Sequence, residues 1–530
     1  MFALPITLLT VIPLAVVAAY FVYPQPDVWA HLSQYVLPRV LLNTALLMVT
    51  VGIGVLAVGV PLAWLTAACE FPGRRFFSWA LMLPLAIPAY VLAFVQIGIF
   101  DYAGPVQTLA RAWFGSSRAF PNVRSGLWAV TIVLVMALYP YVYLLARNAF
   151  RTQGRRALEA AQTLGYSPRA AFFRVALPMA RPWIIGGLTL VLMETLADFG
   201  AVAVFNYDTF TTAIYKSWFG LFNLPAAAQL ASLLVTFVLL LAAFEQRMRG
   251  RRQYQVASAY SPRIVLQGKW RYIAPLSCGA VLVAAFVIPV VQLVIWAAEI
   301  WREDLDTRYW EFVWNSLELA LGTSTAAIVL ALLLAWVRRN YRDRVSRWAI
   351  RLSTLGYAVP GTVLAVGVFI PIAWMDERLV ALARLTGFSG YEILKGTLLT
   401  MMLALVARFL AVAFHSADSA MQRISRNQED AARSLGLSTP EILRRLYLPL
   451  LRPGLLAGFL LVFVDVLKEM PITLMTRSFG WDTLSVRIFQ LTSESMWERA
   501  ALPALFIVMV GLLPVMLIVR QTEQVPGSTS

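Results

Sequence analysis

Five ionisable side chains lie inside two long apolar stretches of the sequence. Glu194 and Asp198 stand four residues apart in the first stretch, and Asp465, Lys468 and Glu469 occupy the matching part of the second. A spacing of four residues predicts that both acids of a pair lie on one helix face. Carboxylates suit hard cations. Two interpretations stay open: a cation pathway, or interhelical hydrogen bonds with an ion pair in which Lys468 neutralises an acid.

The elements that carry these side chains must be membrane helices. Of the 530 residues, 60% are hydrophobic and only 14% are charged, whereas soluble chains carry about a quarter charged residues. The sequence contains about twelve apolar stretches near the roughly 20 residues that cross a bilayer. A charged side chain at the bilayer centre costs about 2.5–3.5 kcal/mol on insertion scales. The five ionisable groups are therefore expected to face protein or water in an all-α polytopic membrane protein.

The net charge of +16 reflects membrane topology. Lys and Arg are concentrated in alternate short loops, which orients the chain with both termini in the cytoplasm and argues against a nucleic-acid partner. Membrane lipid is the expected surrounding. Two cysteines far apart in sequence, and two histidines predicted near opposite membrane faces, support neither a disulfide framework nor a stably bound metal.

The chain repeats itself. Residues 1–246 and 272–530 each hold six predicted spans, and residues 247–271 form a polar, basic cytoplasmic linker. An even number of spans inserts both halves the same way up, which predicts parallel repeats related by a pseudo-twofold axis along the membrane normal. The matches, at a nearly constant offset, are Asn43 with Asn315, Ala63-Trp64 with Ala335-Trp336, residues 86–93 with 358–365, and Asp208-Thr209 with Asp482-Thr483.

Prolines interrupt two of the predicted spans, at residues 76–99 and 352–374. Pro88, Pro360 and Gly361 are candidate hinges for alternating access, and fixed kinks are the other interpretation, because neighbours in a membrane bundle can satisfy an interrupted backbone.

The longest cytoplasmic loop of each half carries the same motif. We call residues 148–182 the first elbow and residues 418–453 the second elbow. A helix-forming run ended by glycine, followed by Ser167-Pro168 or Thr439-Pro440 as helix cap and first residue, predicts a helix–glycine–helix shape. The motif residues are Glu159, Ala160, Ala161 and Gly165 in the first elbow and Asp430, Ala431, Ala432 and Gly436 in the second.

The elbows resemble the Glu-Ala-Ala loop of ABC-importer permeases, with Asp430 in place of the first glutamate. The resemblance implies that each elbow docks on one of two copies of a separate ATPase subunit, although an ordinary amphipathic connector is the alternative. The sequence contains no GxxxxGK[ST] loop. We therefore expect ATP to be used by the partner, with no cofactor and no catalytic site in this chain.

The stretches 194–200, 209–220, 357–365 and 465–471 are similar to those of fused two-half permeases of ferric-iron importers. That resemblance implies a bacterial inner-membrane location, a periplasmic binding protein that delivers Fe³⁺, and docking or gating roles for the outer loops 206–225 and 477–500. A thiamine-type permease is the main alternative, and polyamine or phosphonate permeases are more distant ones. An ion-coupled secondary transporter is a further alternative, against which the doubled elbow argues.

Overall fold

The computed structural model of the protein describes residues 3–22, 26–115, 126–152, 161, 165–249, 263–341, 343–385 and 392–523. These residues are almost all helical. Two short strands among them, β1 (Cys69–Glu70) and β2 (Ile264–Val265), pair in parallel. The predicted all-α class is confirmed. Most of the predicted linker, at residues 250–262, lies outside the described residues.

The first part of the chain forms twelve described helices. They are α1 (Ala3–Val22), α2 (Pro26–His31), α3 (Leu37–Ala68), α4 (Arg74–Ala80), α5 (Ala89–Phe100), α6 (Pro105–Phe114), α7 (Leu127–Thr152), α8 (Pro168–Ala171), α9 (Leu177–Ala197), α10 (Gly200–Val204), α11 (Phe210–Tyr215) and α12 (Leu224–Arg249).

The second part of the chain also forms twelve described helices. They are α13 (Trp270–Leu282), α14 (Ile288–Asp304), α15 (Thr307–Asn340), α16 (Arg344–Ser353), α17 (Gly361–Arg384), α18 (Leu398–Gln422), α19 (Arg426–Ser434), α20 (Thr439–Ile442), α21 (Leu448–Lys468), α22 (Pro471–Thr476), α23 (Leu484–Ser493) and α24 (Trp497–Glu523).

Short turns of other helix types join or interrupt these elements. The π-helical turns are Leu32–Val36, Phe172–Ala176, Lys216–Gly220, Val283–Val287 and Leu443–Tyr447, and the 3₁₀ turns are Leu83–Ala86 and Leu355–Ala358. Two of the π-helical turns lie at matching places, directly before α9 and α21. Each of these long helices is therefore continuous with the short elbow helix that precedes it.

Eleven helices in the described residues are long and apolar enough to cross a membrane, and a bent pair raises the number to twelve. This agrees with the predicted count. The bent pair is residues 344–358 with 361–384, whose axes differ by 118°.

The two proline-containing spans begin later than predicted, because the helix breaks before each proline. The stretch predicted at 76–99 becomes α4, a 3₁₀ turn and then α5, and the stretch predicted at 352–374 becomes a 3₁₀ turn and then α17. Proline has no N–H to donate into a preceding turn. Instead, the Pro88 carbonyl accepts from Val91 N at 3.0 Å, and the Pro360 carbonyl accepts from Val363 N at 3.0 Å. Each proline thus starts a new helix.

Packing divides the chain into two compact units. The first comprises residues 1–31, 213–235 and 302–490. In its core, α15, α18 and α21 pack on one another, and α1 packs on α16, α17 and α18. Thr7 Oγ1 donates to the Ala349 carbonyl and Thr10 Oγ1 to the Ser353 carbonyl, each at 3.2 Å. Gly367 lies so close to α1 that an added Cβ would stand 2.6 Å from the Pro13 carbonyl oxygen.

The second unit comprises residues 32–212, 236–301 and 491–530. Its core is α3, α7 and α9, and α13 with the turn that follows it packs on α4 and α7. Trp296 of α14 stacks on Phe94 of α5 with ring centroids 6.4 Å apart, and Trp497 Nε1 donates to Asp101 Oδ2 at 3.3 Å. Each unit thus includes the first long helix of the opposite half of the sequence.

The junction after the linker is fixed within the second unit. The Glu70 carboxylate accepts from Arg74 Nε at 3.0 Å and from Arg263 Nη1 at 3.1 Å, beside the β1–β2 pair. The halves 1–246 and 272–530 are defined by sequence repetition and the units by packing, so the half boundaries remain a prediction.

We expect Gly367→Ala to destabilise the protein, because the new methyl group would overlap the backbone of α1. Overpacking of this kind costs about 1–3 kcal/mol, more than the roughly 0.5–1 kcal/mol that alanine gains over glycine in a helix. Gly279→Ala is the matched control, since a Cβ there meets no atom closer than 3.9 Å. Thermal unfolding in detergent should show a lower Tm for the first variant only. Equal Tm values would contradict the close contact.

Candidate functional site

The second elbow has the predicted helix–glycine–helix shape. Ser425 caps α19: its Oγ accepts from Gln428 N, and the Gln428 side chain accepts from Ser425 N at 3.0 Å. Gly436 ends the helix with a φ of 78°, the left-handed conformation that glycine adopts most easily. Leu437 N then donates to the Ala432 carbonyl at 3.2 Å.

The cap of the next helix was predicted one residue too late in the second elbow. Ser438 caps α20, because Ile442 N donates to the Ser438 carbonyl and the Glu441 carboxylate accepts from Ser438 N at 2.9 Å. The predicted cap, Thr439, is the first residue of the helix. Both serine and threonine suit the cap position, so the local pattern did not distinguish the two registers.

The first elbow is described in part. Glu159 and Ala160 lie outside the described residues. Gly165 has a φ of 85°, and Tyr166 N donates to the Ala161 carbonyl at 3.0 Å, which matches the contact in the second elbow. Ser167 Oγ accepts from Ala170 N at 3.3 Å, which confirms the predicted cap.

The predicted coupling residues divide into exposed and buried groups. Asp430, Ala431, Gly436 and Gly165 are exposed, and a Cβ added at either glycine would meet no atom within 4 Å. Ala161 and Ala432 are instead buried within their own units. The second alanine of each pair therefore packs against this chain, and the exposed group offers the surface for a partner.

The second elbow is anchored by charge. Glu429 accepts from Tyr447 Oη at 2.7 Å and from Arg433 Nη2 at 2.8 Å, and its carboxylate pairs with Arg339 Nη2 at 3.3 Å. Burial of Glu429 would raise its pKa, but the hydrogen bonds from Tyr447 and Arg339 and the charges of the two arginines outweigh burial and hold the pKa below its usual value. Glu429 is therefore a carboxylate at neutral pH.

The first elbow is anchored by aromatic packing. The ring centroid of Phe172, in the π-helical turn before α9, lies 4.6 Å from that of Trp64, and Phe150 lies 5.3 Å from Trp64. These anchors were not predicted from the sequence. The one available signal was Phe172, because a bulky apolar residue stands seven residues after the glycine in both elbows, as Phe172 and Leu443.

The predicted membrane carboxylates lie at two breaks in the long helices. Helix α9 ends at Ala197 and is followed by Asp198, and α21 ends at Lys468 and is followed by Glu469. The argument that both acids of each pair share one helix face was wrong, because the helix ends before the second acid. Glu194 and Asp465 stay on the helices, while Asp198 and Glu469 lie where the chain turns.

The two acids at the breaks accept hydrogen bonds from the first turn of the next short helix, one residue before its N-cap. Asp198 Oδ1 accepts from Val202 N at 3.1 Å, at the start of α10. The Glu469 carboxylate accepts from Ile472 N at 3.1 Å and from Thr473 N at 3.3 Å, at the start of α22. A carboxylate at a helix start satisfies unpaired N–H groups and is favoured by the helix dipole.

The segments that follow the repeated Asp-Thr pairs bond to the two breaks in the same way. Thr211 Oγ1 donates to the Asp198 carbonyl at 2.6 Å, and Ser485 Oγ donates to the Glu469 carbonyl at 2.9 Å. The repeated asparagines hold the motif: Asn43 Nδ2 donates to the Asp208 carbonyl at 2.9 Å and Asn315 Nδ2 to the Asp482 carbonyl at 3.0 Å. The sequence matches thus correspond to one latch, present in each unit.

The charges at the two breaks differ. Arg408 Nη1 lies 3.6 Å from Glu469 Oε1, and both side chains are largely buried. Lys468, predicted to neutralise an acid, interacts electrostatically with Asp465. Gly361 leaves room for the pair, since a Cβ there would stand 2.6 Å from Glu469 Oε1 and closer still to Arg408 Nη1. The structure gives Gly361 a packing role, and its hinge role stays a prediction.

A further buried acid lies outside the predicted set. Asp376 of α17 is completely buried, accepts from Ile393 N at 2.8 Å, and pairs with Lys395 Nζ at 3.9 Å. The sequence signal was weak, because Asp376 lies beside Glu377 and Arg378 at the end of an apolar stretch. The described residues contain no group of three or more His, Cys, Asp or Glu side chains arranged to hold a metal ion.

The predicted outer loops expose aromatic side chains. Phe222 has a φ of 51° and is 89% exposed, and Phe479 is fully exposed. Both side chains are therefore accessible to a partner.

Comparison with known proteins gives two consistent matches. A family model described as the binding-protein-dependent transport system inner membrane component matches residues 59–250 and again residues 327–524. The Fe(3+)-transport system permease protein FbpB 2 of Haemophilus influenzae is 28% identical over 496 residues, which cover 91% of this chain and 89% of that protein.

Two other relatives match smaller shares of the chain. The putative ferric transport system permease protein FbpB 1 of Haemophilus influenzae is 24% identical over 88% of this chain and 72% of its own length. The molybdenum transport system permease protein ModB of Escherichia coli is 31% identical over 169 residues, which are 32% of this chain and 72% of ModB. The two family matches cover most of the chain, one in each predicted half, and the chain therefore belongs to the family of inner-membrane components of binding-protein-dependent transport systems.

Proposed function

We propose that this chain is the permease of an ABC importer that carries ferric iron from a periplasmic binding protein into the cytoplasm. Two copies of a separate ATPase subunit, docked on the two elbows, drive the transport. Both termini lie in the cytoplasm of a bacterial cell. The iron cargo is supported by the relatives named as Fe(3+) or ferric permeases, which match along most of this chain.

One structural observation supports the proposed transport mechanism. In each unit, the elbow continues through a π-helical turn into a 21-residue helix, α9 or α21, that ends at the broken-helix acid. A helix of this length spans about 31 Å at 1.5 Å per residue. A rigid rod of that length transmits a displacement of the elbow to the latch at its other end.

The surfaces at the two ends suit the proposed partners. The exposed residues of the elbows, Asp430, Ala431 and Gly436, offer a shallow surface with an acidic edge to an ATPase. The exposed Phe222 and Phe479 of the outer loops offer apolar anchors to a binding protein.

Among the membrane acids, Glu194 and Asp465 are the better candidates for lining the path. They remain on the long helices, whereas the carboxylates of Asp198 and Glu469 accept bonds from backbone N–H groups. The latter pair stabilises the breaks. We retain Pro88 and Pro360 as candidate hinges, because each marks the start of a separate helix.

A molybdenum-type cargo is the second candidate. ModB of Escherichia coli has a higher percentage identity, but it matches only about a third of this chain. The FbpB 2 match extends over both predicted halves, and this favours iron.

Vesicles holding the reconstituted complex should take up radiolabelled Fe³⁺ presented on the binding protein, and the uptake should require ATP. Labelled molybdate should not be accumulated. Uptake of molybdate without uptake of iron would reject the iron assignment, and uptake that continues without the ATPase would reject the importer mechanism.

Asp430→Lys should weaken association with the ATPase at least about tenfold, because like charges brought together at an interface cost several kcal/mol. The fold should change little, since surface substitutions usually shift stability within about 0.5 kcal/mol. Co-purification of the tagged ATPase measures the effect. Glu311→Lys is the control, as Glu311 is exposed on α15 outside both elbows. Full retention of the ATPase by Asp430→Lys would argue against docking at this surface.

The double variant Glu194→Ala/Asp465→Ala should lose ATP-dependent iron uptake while the complex still assembles, because both proposed path ligands are removed. Asp198→Asn should retain uptake, since the amide oxygen of asparagine can accept the same hydrogen bond from Val202 N. Size-exclusion chromatography in detergent confirms that each variant is intact. Normal uptake by the intact double variant would exclude the path role.

A further inference from the structure

The two elbows carry the same motif but are fastened differently. In the second elbow, the Glu429 carboxylate joins Arg339 of α15 and Tyr447, the residue directly before α21. The Arg339 and Glu429 side chains are only 12% and 14% exposed. Three elements therefore meet at one carboxylate: α15, the elbow helix α19, and the start of α21.

Arg339 also bonds to a fourth element, the end of α18. Its Nη1 donates to the Met421 carbonyl at 3.1 Å and to the Ile424 carbonyl at 2.9 Å, at the end of α18. Free carbonyls at a helix end are natural acceptors for a guanidinium. The guanidinium of Arg339 thus links the end of α18 to the carboxylate of α19.

The first half lacks the residues for this arrangement. At the offsets that relate the repeats, the positions of Arg339, Glu429 and Tyr447 are taken by small or aliphatic residues. These are Ala67, Leu158 and Ala176, in the same order. None of the three has a charge or a hydroxyl group, so the ionic contact has no counterpart at these positions of the first half.

The second half in turn lacks the residues for the aromatic contact. The first elbow relies on Phe172 against Trp64 and Phe150. At the positions of Phe172 and Phe150 the second half has Leu443 and Met421. At these matched positions, each half has the residues for one of the two contacts and not for the other.

The two fastenings differ in how they respond to movement. Aromatic pairs are favourable in more than one arrangement, offset-stacked or edge-to-face, and contribute about 0.5–1.5 kcal/mol beyond the burial of their area. Charge-assisted hydrogen bonds are directional and contribute about 1.5–3 kcal/mol each when partly buried. An ionic contact therefore resists rotation, and an aromatic contact permits it.

We propose that Arg339 and Glu429 form an ionic strut that makes the second elbow, α15 and α21 move as one rigid body, while the first elbow pivots on its aromatic contact. Arg339 and Glu429 are positioning residues in this scheme: they contact no cargo and act by fixing the direction in which the ATPase stroke reaches α21. The functional part of the inference rests on the proposed ATPase-driven transport.

Rigidity of the second elbow can be measured without any cargo. Spin labels at Ser434 of α19 and Leu333 of α15, both exposed, report the distance between the two elements in the reconstituted complex. Cys69 and Cys278 are replaced beforehand. The wild-type background should give one narrow distance distribution that is the same with and without ATP. Arg339→Ala and Glu429→Gln should broaden it and make it change with ATP.

Arg338→Ala is the matched control. Arg338 is the neighbouring residue of α15 and pairs with Asp418 at 2.9 Å, which links α15 to α18 without involving the elbow helix. The distance distribution should stay narrow in this variant. A distribution that stays narrow in Arg339→Ala, or one that broadens equally in Arg338→Ala, would overturn the strut.

Transport per ATP hydrolysed tests the consequence for function. Loss of the strut should lower this ratio about tenfold, as expected for one charge-assisted bond, with ATPase co-purification unchanged. The double variant should be no worse than Arg339→Ala alone, because that variant has already lost the contact between Arg339 and Glu429. An unchanged ratio, or additive losses, would contradict the coupling role. If the wild-type complex hydrolyses ATP but moves no iron, the cargo assignment fails, and the spin-label distances still decide the strut.

Discussion

The backbone of an apolar layer must satisfy its own hydrogen bonds, and this constraint governs both breaks in the long helices. An interrupted helix within a bilayer leaves N–H and C=O groups that water cannot reach. In both units a carboxylate serves the N–H groups of the next short helix, and a hydroxyl donates to the carbonyl left at the break. Asp198 and Glu469, two of the acids that first suggested a cation site, thus satisfy backbone groups that the breaks leave unpaired.

The two repeats share the geometry of their helix breaks and elbows but differ in the charged residues at these places. The latch of asparagine, hydroxyl and acid is the same in both units, but only the break at Glu469 has a buried arginine beside it among the described residues. The elbows show the same relation: their glycines have similar φ values, while one elbow is anchored by charge and the other by aromatic rings. A fused chain allows such divergence, because the two halves have separate sequences that can change independently.

Local sequence patterns predicted the local structures well. The spans, the elbow glycines, the Ser167 cap and the repeated asparagines all follow from short-range rules of helix length, capping and repetition. The register of the second cap and the break after Ala197 were missed, because several residues suited each position. Three contacts could not be predicted from the sequence: Arg339 with Glu429, Arg408 with Glu469, and the packing of α1 on α17. Each joins residues that are far apart in sequence and carry no shared pattern.

The packing of α1 has a consequence for biosynthesis. Its partners, Ala349, Ser353 and Gly367, are made more than three hundred residues after it, and synthesis at about 5–20 residues per second leaves α1 waiting for tens of seconds. During that time it lacks these partners. Its sequence suits this, since residues 3–22 contain no charged side chain, and its threonines bond to their own or neighbouring turns until the partner arrives. The first helix can thus remain in the membrane until the second half of the chain is synthesised.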